Sequence, residues 1–215
     1  DLSFVYKCTK EILKYSKRKK IIVTKSTVPV GTGDEIENIL KKKKKFFTVI
    51  SNPEFLREGE AIRDFRYPDR IVIGSNEKKT FNIMRKLYAP LTNKGAKFFA
   101  TSRRGAELIK YASNAFLATK ITFINELANL CEKSGVNIED VSLGMGSDSR
   151  IGGRFLRAGP AYGGSCFPKD TKGLVSAAEK YKINLSVVKS VIKSNQGRVN
   201  LLTKRVHKIL GSNLK

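Results

Sequence analysis

Four short apolar runs, at residues 21–23, 46–50, 70–73 and 97–100, are separated by segments of helix length, and this alternation leaves few folds open. Strands that alternate with helices at this spacing build a parallel sheet. The periodicity predicts helices over 2–17, 34–41 and 77–88 between the strands. From 103 to 134 the pattern becomes helical without interruption, and Ile109, Ala112, Phe116, Thr119, Phe123, Leu127 and Leu130 fall on one stripe at steps of three and four. That stripe is expected to face a core, with Cys131 closing it, and Cys8 is expected to pack on the first helix. A short helix over 138–143 ends in Gly144 and Gly146, and two more helices are expected over 168–181 and 185–210. The segment 147–164 is polar and glycine-rich, and a connection of that length in a compact domain is usually functional.

A chain of 215 residues can bury a sizeable core in one large or two small domains. Its three cysteines, Cys8, Cys131 and Cys166, are too scattered for a disulfide framework, which makes a reducing cytoplasm the expected setting. No apolar run reaches the length of a membrane span, and the first residues lack a signal-peptide pattern. The net charge of +23 raises nucleic-acid binding as a function. It ranks below catalysis, because the basic residues are spread along the chain and no nucleic-acid motif accompanies them. The lysine run 41–45 is expected in a connection between a helix and a strand. His207, the one histidine, has no ligand partners nearby in the sequence and is expected in solvent; no metal site is expected.

The segment from Ala161 to Asp170 carries the strongest chemical signal. Gly163 and Gly164 permit close approach of a ligand to the main chain, and Pro168 suits the first turn of a helix starting near Phe167. Cys166 then lies at the positive end of the helix dipole with Lys169 in the first turn, and both favour the thiolate over the thiol. Asp170, one turn in, is a candidate to orient water or accept a proton. A buried cysteine in a glycine turn is the ordinary alternative.

Three further groups are candidates. Thr27 follows the first strand at its carboxyl end, where open α/β sheets bind ligands, though a hydroxyl capping a turn reads the same locally. Glu54 and Glu58 follow the second strand and would share a face if that segment formed a helical turn. Lys110 and Asn114, at i and i+4 on the long helix, could point into one pocket. In the long connection, Arg150, Arg154 and Arg157 suit bidentate contact with phosphate or carboxylate, and Phe155 suits a base or sugar ring.

Four segments in chain order resemble the UDP-glucose/GDP-mannose dehydrogenases: 26–32 (Ser-Thr-Val-Pro-Val-Gly-Thr), 52–59 (Asn-Pro-Glu-Phe-Leu-Arg-Glu-Gly), 107–116 (Glu-Leu-Ile-Lys-Tyr-Ala-Ser-Asn-Ala-Phe) and 163–170 (Gly-Gly-Ser-Cys-Phe-Pro-Lys-Asp). Arg150-Ile151-Gly152 after Asp148 resembles the branch that oxidises UDP-glucose. The resemblance implies the second half of a Rossmann-like NAD-binding domain over 1–101, then an all-helical central domain over 102–215 that forms a homodimer. It implies NAD as cofactor, UDP-glucose as substrate, and oxidation of C6 to UDP-glucuronate through a thiohemiacetal and a thioester on Cys166. Lys110 and Asn114 would hold the oxyanion, Asp170 and Glu58 would handle protons and water, and Thr27 would assist the first oxidation. Substrate contacts are implied for Glu54, Phe55, Leu56, Arg57, Glu58, Lys110, Asn114, Phe155, Leu156, Arg157, Ala158, Gly159 and Gly163. Arg150 would reach the neighbouring subunit's site, and Thr27, Glu58 and Lys169 would meet the cofactor. No G-x-G-x-x-G follows a strand in these residues, and family members carry a further nucleotide-binding lobe beyond the last helix. The 215 residues alone are therefore expected to be poorly soluble and inactive. GDP-mannose or UDP-N-acetylmannosamine as substrate, a non-catalytic fragment, and a basic nucleic-acid binder are the alternatives.

Overall fold

The apolar runs become strands, and the two central ones, Phe47–Ser51 and Arg70–Gly74, are buried almost throughout. The structure, a computed structural model, describes residues 1–41 and 46–211, so residues 42–45 of the lysine run lie outside the described residues. It divides into two units, Asp1–Lys110 and Tyr111–Lys215.

In the first unit the strands are β1 (Lys20–Thr24), β2 (Phe47–Ser51), β3 (Arg70–Gly74) and β4 (Lys97–Thr101), in that order across the sheet. Successive side chains of a strand alternate between faces, and the core divides accordingly. Phe47 and Val49 pack with Ile36, Leu40, Val5 and Ile12 of the helices α1 (Ser3–Tyr15) and α2 (Thr32–Leu40). Ile50, Ile71 and Ile73 pack with Met84 and Tyr88 of α4 (Lys78–Thr92). The first helix turns Thr9 inward, between Val5 and Ile12, with its hydroxyl bonded to the Val5 carbonyl at 2.8 Å. Cys8 falls beside that stripe and is exposed, so the expectation that it packs does not hold.

The sheet is mostly parallel. β1 pairs with β2 from Lys20↔Phe47 to Thr24↔Ser51, and β3 with β4 from Arg70↔Lys97 to Gly74↔Thr101. The seam between the pairs differs from the parallel expectation: β2 and β3 meet antiparallel at Ser51↔Gly74. The connection at this seam carries only α3 (Ala61–Arg66), which buries none of its residues. It therefore lacks the packed crossover helix that returns a chain to start a parallel neighbour. This registry puts the last residues of all four strands, Thr24, Ser51, Gly74 and Thr101, in one row. A Cβ on Gly74 would lie 2.6 Å from the Ser102 carbonyl oxygen and 2.7 Å from the Ala106 Cβ, so only glycine lets the following helix start so close to the sheet.

That helix, α5 (Arg103–Ser134), continues into the second unit, which also holds α6 (Ile138–Gly146), α7 (Phe167–Glu179) and α8 (Ser186–Leu210). Asn137 caps α6, its side-chain oxygen accepting from the Glu139 amide at 2.9 Å. The face of α5 that packs is not the expected one. Tyr111, Ala115, Ala118 and Cys131 are buried, whereas Phe116, Phe123 and Leu130 are 65, 46 and 63 % exposed. Small residues on the inner face admit close neighbours: Gly173 of α7 sits against the Tyr111 ring, where a Cβ would come to 2.8 Å. Tyr111 and Ala115 pack with Leu174, and Ala118 with Tyr162 and Val191. The large apolar side chains, spaced by seven, form an outward stripe.

Candidate active site

The first unit gathers its candidate residues beyond the row of strand ends. Asn52 extends β2 by donating its amide to the Thr24 carbonyl and its side chain to the Val72 carbonyl, each at 2.9 Å. Pro53 biases it further toward extended backbone. Residues 52–57 accordingly form no helical turn, and Glu54 and Glu58 do not share a helical face. Glu54 instead meets Lys110: its Oε1 lies 3.3 Å from the Lys110 Nζ, and its Oε2 accepts from the Leu56 amide at 2.6 Å. The Lys110 ammonium is 3 % exposed and lies 5.2 Å from the centre of the Phe55 ring, over which the Arg70 guanidinium also sits at 4.0 Å. A buried ammonium requires such a carboxylate and ring. Arg57 forms a fork to Asp64, with Nε to Oδ2 at 2.9 Å and Nη2 to Oδ1 at 2.6 Å. That fork holds the Asp64 carboxyl below the usual range. Leu56 and Glu58 are exposed, and Thr27 is partly exposed.

Glu107 belongs to this group and was not singled out for a role from sequence. Its carboxylate, 3 % exposed, accepts from the Gly31 amide at 2.7 Å and from the Gly33 amide and Ser51 hydroxyl at 2.9 Å each. It thereby satisfies the amino end of α2 from one turn before Lys110 and ties the loop carrying Thr27 to the end of β2. A Cβ on Gly33 would lie 2.9 Å from the Glu107 Oε1, so the glycine is what admits the carboxylate. Arg103 reinforces the latch through Asp34 at 2.6 Å and Glu37 at 2.7 Å. Its place in the Glu107-to-Phe116 segment, three residues before Lys110, was the available signal.

Burial raises the Glu107 carboxyl above its ordinary pKa, with Asp34 adding to the shift, although three donors oppose them. The folded protein therefore holds this proton more firmly than the unfolded chain. Its contribution to stability is full below the ordinary glutamate range and falls as pH rises through the raised value. We expect urea unfolding to show the stability of wild type relative to Glu107→Gln declining from about pH 4 toward neutrality, since ordinary glutamates titrate near 4.3. A difference independent of pH would contradict this.

In the second unit, α7 starts at Phe167 with Pro168 in its first turn, and Cys166 occupies the N-cap position. Its carbonyl accepts the Asp170 amide at 2.8 Å, and its exposed thiol lies 3.7 Å from the Ser165 hydroxyl. Gly164, at φ +73°, supplies the left-handed turn before it. Asp170 is wholly buried; its Oδ2 accepts from the Asn114 side chain at 2.6 Å. The Lys169 ammonium pairs with Oδ1 at 2.8 Å, outside hydrogen-bonding geometry. Cys166, Lys169, Asp170 and Asn114 are thus brought together.

The connection before Cys166 carries the remaining candidates. Phe155 takes φ +67°, rare for a non-glycine residue, and its ring meets Phe167 edge-on at 6.2 Å. Leu156 is buried, its carbonyl accepting from the Ser142 hydroxyl at 2.5 Å. Ala158 and Gly159 are half-buried, and Arg157 and Gly163 are exposed. Arg150, also exposed, pairs through Nη2 with the Asp148 Oδ2 at 2.6 Å. Among the described residues no three His, Cys, Asp or Glu side chains gather as metal ligands, and His207 is exposed. No described helix is long and apolar enough to cross a membrane.

A dinucleotide fits this chain in part. The row of strand ends leaves Thr27 partly exposed at the edge where α/β sheets bind cofactors. The amino end of α2 follows a strand and a glycine turn, but the Glu107 carboxylate fills it, so it cannot take the pyrophosphate.

A Rossmann-like unit followed by a helical unit with a thiol at a helix start is the architecture that comparisons with known proteins identify. Residues 1–92 match the NAD binding domain of the UDP-glucose/GDP-mannose dehydrogenase family, and residues 104–197 match its central domain. The chain belongs to that family. It is 52 % identical over its whole length to UDP-glucose 6-dehydrogenase of Rickettsia prowazekii (strain Madrid E), covering 50 % of that protein. It is 49 % identical to UDP-glucose 6-dehydrogenase of Rhizobium meliloti (strain 1021), again covering 50 %. Its fold matches the structure of a UDP-glucose dehydrogenase from Pyrobaculum islandicum with TM-score 0.91 and 36 % identity, over 98 % of this chain and 50 % of the other. The chain thus spans about half the length of the curated relatives it matches.

Proposed function

We propose that this chain is the part of an NAD-dependent UDP-glucose 6-dehydrogenase that supplies its thiol and oxyanion-binding groups. The observation that carries the reading is Cys166, exposed at the amino end of α7, with the Asn114–Asp170–Lys169 network on the turn that follows. NAD, when bound, takes up a hydride in each of two oxidations. Thr27 and Glu58 are assigned to the first oxidation and to a catalytic water; Thr27, Glu58 and Lys169 are assigned to the cofactor. The Cys166 sulfur attacks the C6 aldehyde, forming a C–S bond and an oxyanion, and loss of hydride from that carbon leaves a thioester. Water then breaks the C–S bond, giving the carboxylate and returning the thiol. Lys110 and Asn114 stabilise the oxyanion, and Asp170 and Glu58 handle the proton and the water.

Substrate contacts are assigned to Glu54 through Glu58 in the first unit and to Phe155 through Gly159 and Gly163 in the second. The outward stripe Phe116, Phe123 and Leu130 supports a homodimer through the helical unit, with Arg150 reaching the partner's site. Free cysteines support a cytoplasmic setting.

The test is NADH formation by the full-length protein with UDP-glucose, GDP-mannose and UDP-N-acetylmannosamine. UDP-glucose should give two NADH per sugar and clear preference in kcat/KM. Preference for either other sugar would overturn the substrate, and one NADH per sugar would overturn the thioester route. The same assay on the 215 residues alone tests the expectation that they do not turn over. GDP-mannose remains the second reading, because a GDP-mannose dehydrogenase from Pseudomonas aeruginosa shares 33 % identity at TM-score 0.64.

A further inference from the structure

The connection leading to Cys166 is held at two residues by side chains that the chemistry above does not use. The Gly159 amide donates to the Asn125 Oδ1 at 2.8 Å, and its carbonyl accepts from the Arg198 Nε at 2.6 Å. Three residues on, the Tyr162 amide donates to the Asn195 Oδ1 at 2.9 Å, and its carbonyl accepts from the Asn195 Nδ2 at 3.0 Å. Arg198 is itself oriented, since its Nη1 donates to the Asn125 carbonyl at 2.9 Å and to the Asn129 Oδ1 at 3.1 Å. Asn125 is 2 % exposed, and burial and the nearby Arg205 lower the Arg198 pKa without removing its charge near neutrality.

Four side-chain bonds meet the N–H and C=O of two residues, of which Tyr162 is buried and Gly159 half-buried. Backbone groups shielded from water need partners, and here side chains of α5 and α8 supply them on both the N–H and the C=O, which fixes the conformation of the connection at these two residues. The Tyr162 ring completes the hold: it is buried with Ala118 and Val191 and meets Phe167, the first residue of α7, edge-on at 6.1 Å. Phe167 follows Cys166 directly, and the clamped peptide at Tyr162 lies four residues before it. The clamp therefore holds the connection between the positive-φ Phe155 upstream and the glycine pair that precedes the thiol downstream.

We propose that Asn195, with Asn125 and Arg198, is a positioning group for the substrate-contacting connection and for Cys166. Its link to catalysis rests on the function proposed above, and its structural content does not. These residues touch no reacting atom. They act by removing alternative backbone conformations of residues 159–165, so their loss lowers the fraction of molecules with the thiol correctly placed.

The test uses two readouts that need no turnover. In the full-length protein, Asn195→Ala should speed hydrogen exchange at the Tyr162 amide by about tenfold, the effect of losing a pair of ordinary hydrogen bonds, while Val72 in the sheet is unmoved. Alkylation of Cys166 by iodoacetamide should change several-fold relative to Cys8, which is exposed in the first unit and serves as the internal reference. Asn195→Asp, which keeps the acceptor for the Tyr162 amide, should recover part of both effects. Unchanged Tyr162 exchange and an unchanged Cys166:Cys8 ratio in Asn195→Ala would overturn the proposal. Should that variant unfold, Arg198→Lys keeps the charge but loses the fork to the Gly159 and Asn125 carbonyls; the Gly159 amide, which Asn125 holds, should then exchange faster, and no change there would overturn the proposal equally. In the full-length protein Asn195→Ala should lower kcat with the sugar's KM altered less. An absence of NADH from the unaltered protein would sink the proposed function and leave the exchange and alkylation results standing.

Discussion

Cys166→Ser in the full-length protein is expected to abolish formation of the carboxylate while leaving the fold intact. The thiol is exposed at the N-cap, 3.7 Å from the Ser165 hydroxyl, so a smaller oxygen there leaves no buried cavity. The chemistry changes far more. A serine hydroxyl is a poor nucleophile near neutrality without an adjacent base, whereas a thiol has an appreciable thiolate fraction. The aldehyde from the first oxidation should then leave the enzyme or be held without a C–S bond. NADH per UDP-glucose consumed would fall from two to one or to none, with an unchanged melting transition. Full conversion to the carboxylate by Cys166→Ser would remove the covalent route.

The second large effect concerns Lys110. Loss of one oxyanion donor costs about a hundred- to a thousandfold in rate, and Lys110→Ala should lower kcat by that order. A reduction in kcat and kcat/KM together would mark an interaction made in the transition state; a rise in KM alone would make Lys110 a binding residue. Stability supplies a control, because Lys110 is buried and its removal leaves Glu54 without its cation. Glu54 is about one-third exposed and can be solvated, so the loss should stay well below the 3–5 kcal/mol typical of a fully buried broken pair. The double variant Lys110→Met with Glu54→Gln should recover stability and not activity. Recovery of both would show that the lysine serves folding only.

The expected homodimer gives the exposed stripe of α5 a use, since large apolar side chains spaced by seven are poorly tolerated in water. It also accounts for why the sequence misleads there. Hydrophobic periodicity reports that one helical face avoids water, without reporting whether its own chain or another covers it.

What the sequence determined by itself was local. The long helix runs from Arg103 to Ser134 as its periodicity requires, the four strands fall on the apolar runs within a residue or two, and α7 begins at Phe167 because a proline in the first turn tolerates no other register. Cys166, Asp170 and Lys169 lie within five residues of one another, so their grouping needed only that helix start. The antiparallel seam at Ser51 and Gly74 was decided by tertiary structure, because a helix too short to cross the sheet leaves strand direction to packing. The pairing of Lys110 with Glu54, the Glu107 carboxylate on the amides of Gly31 and Gly33, and the clamp of Asn195 on Tyr162 were decided there as well. Each joins residues more than thirty positions apart. Periodicity, capping and turn signals act over a few residues, whereas a buried polar group takes its partner from whatever segment the fold brings near.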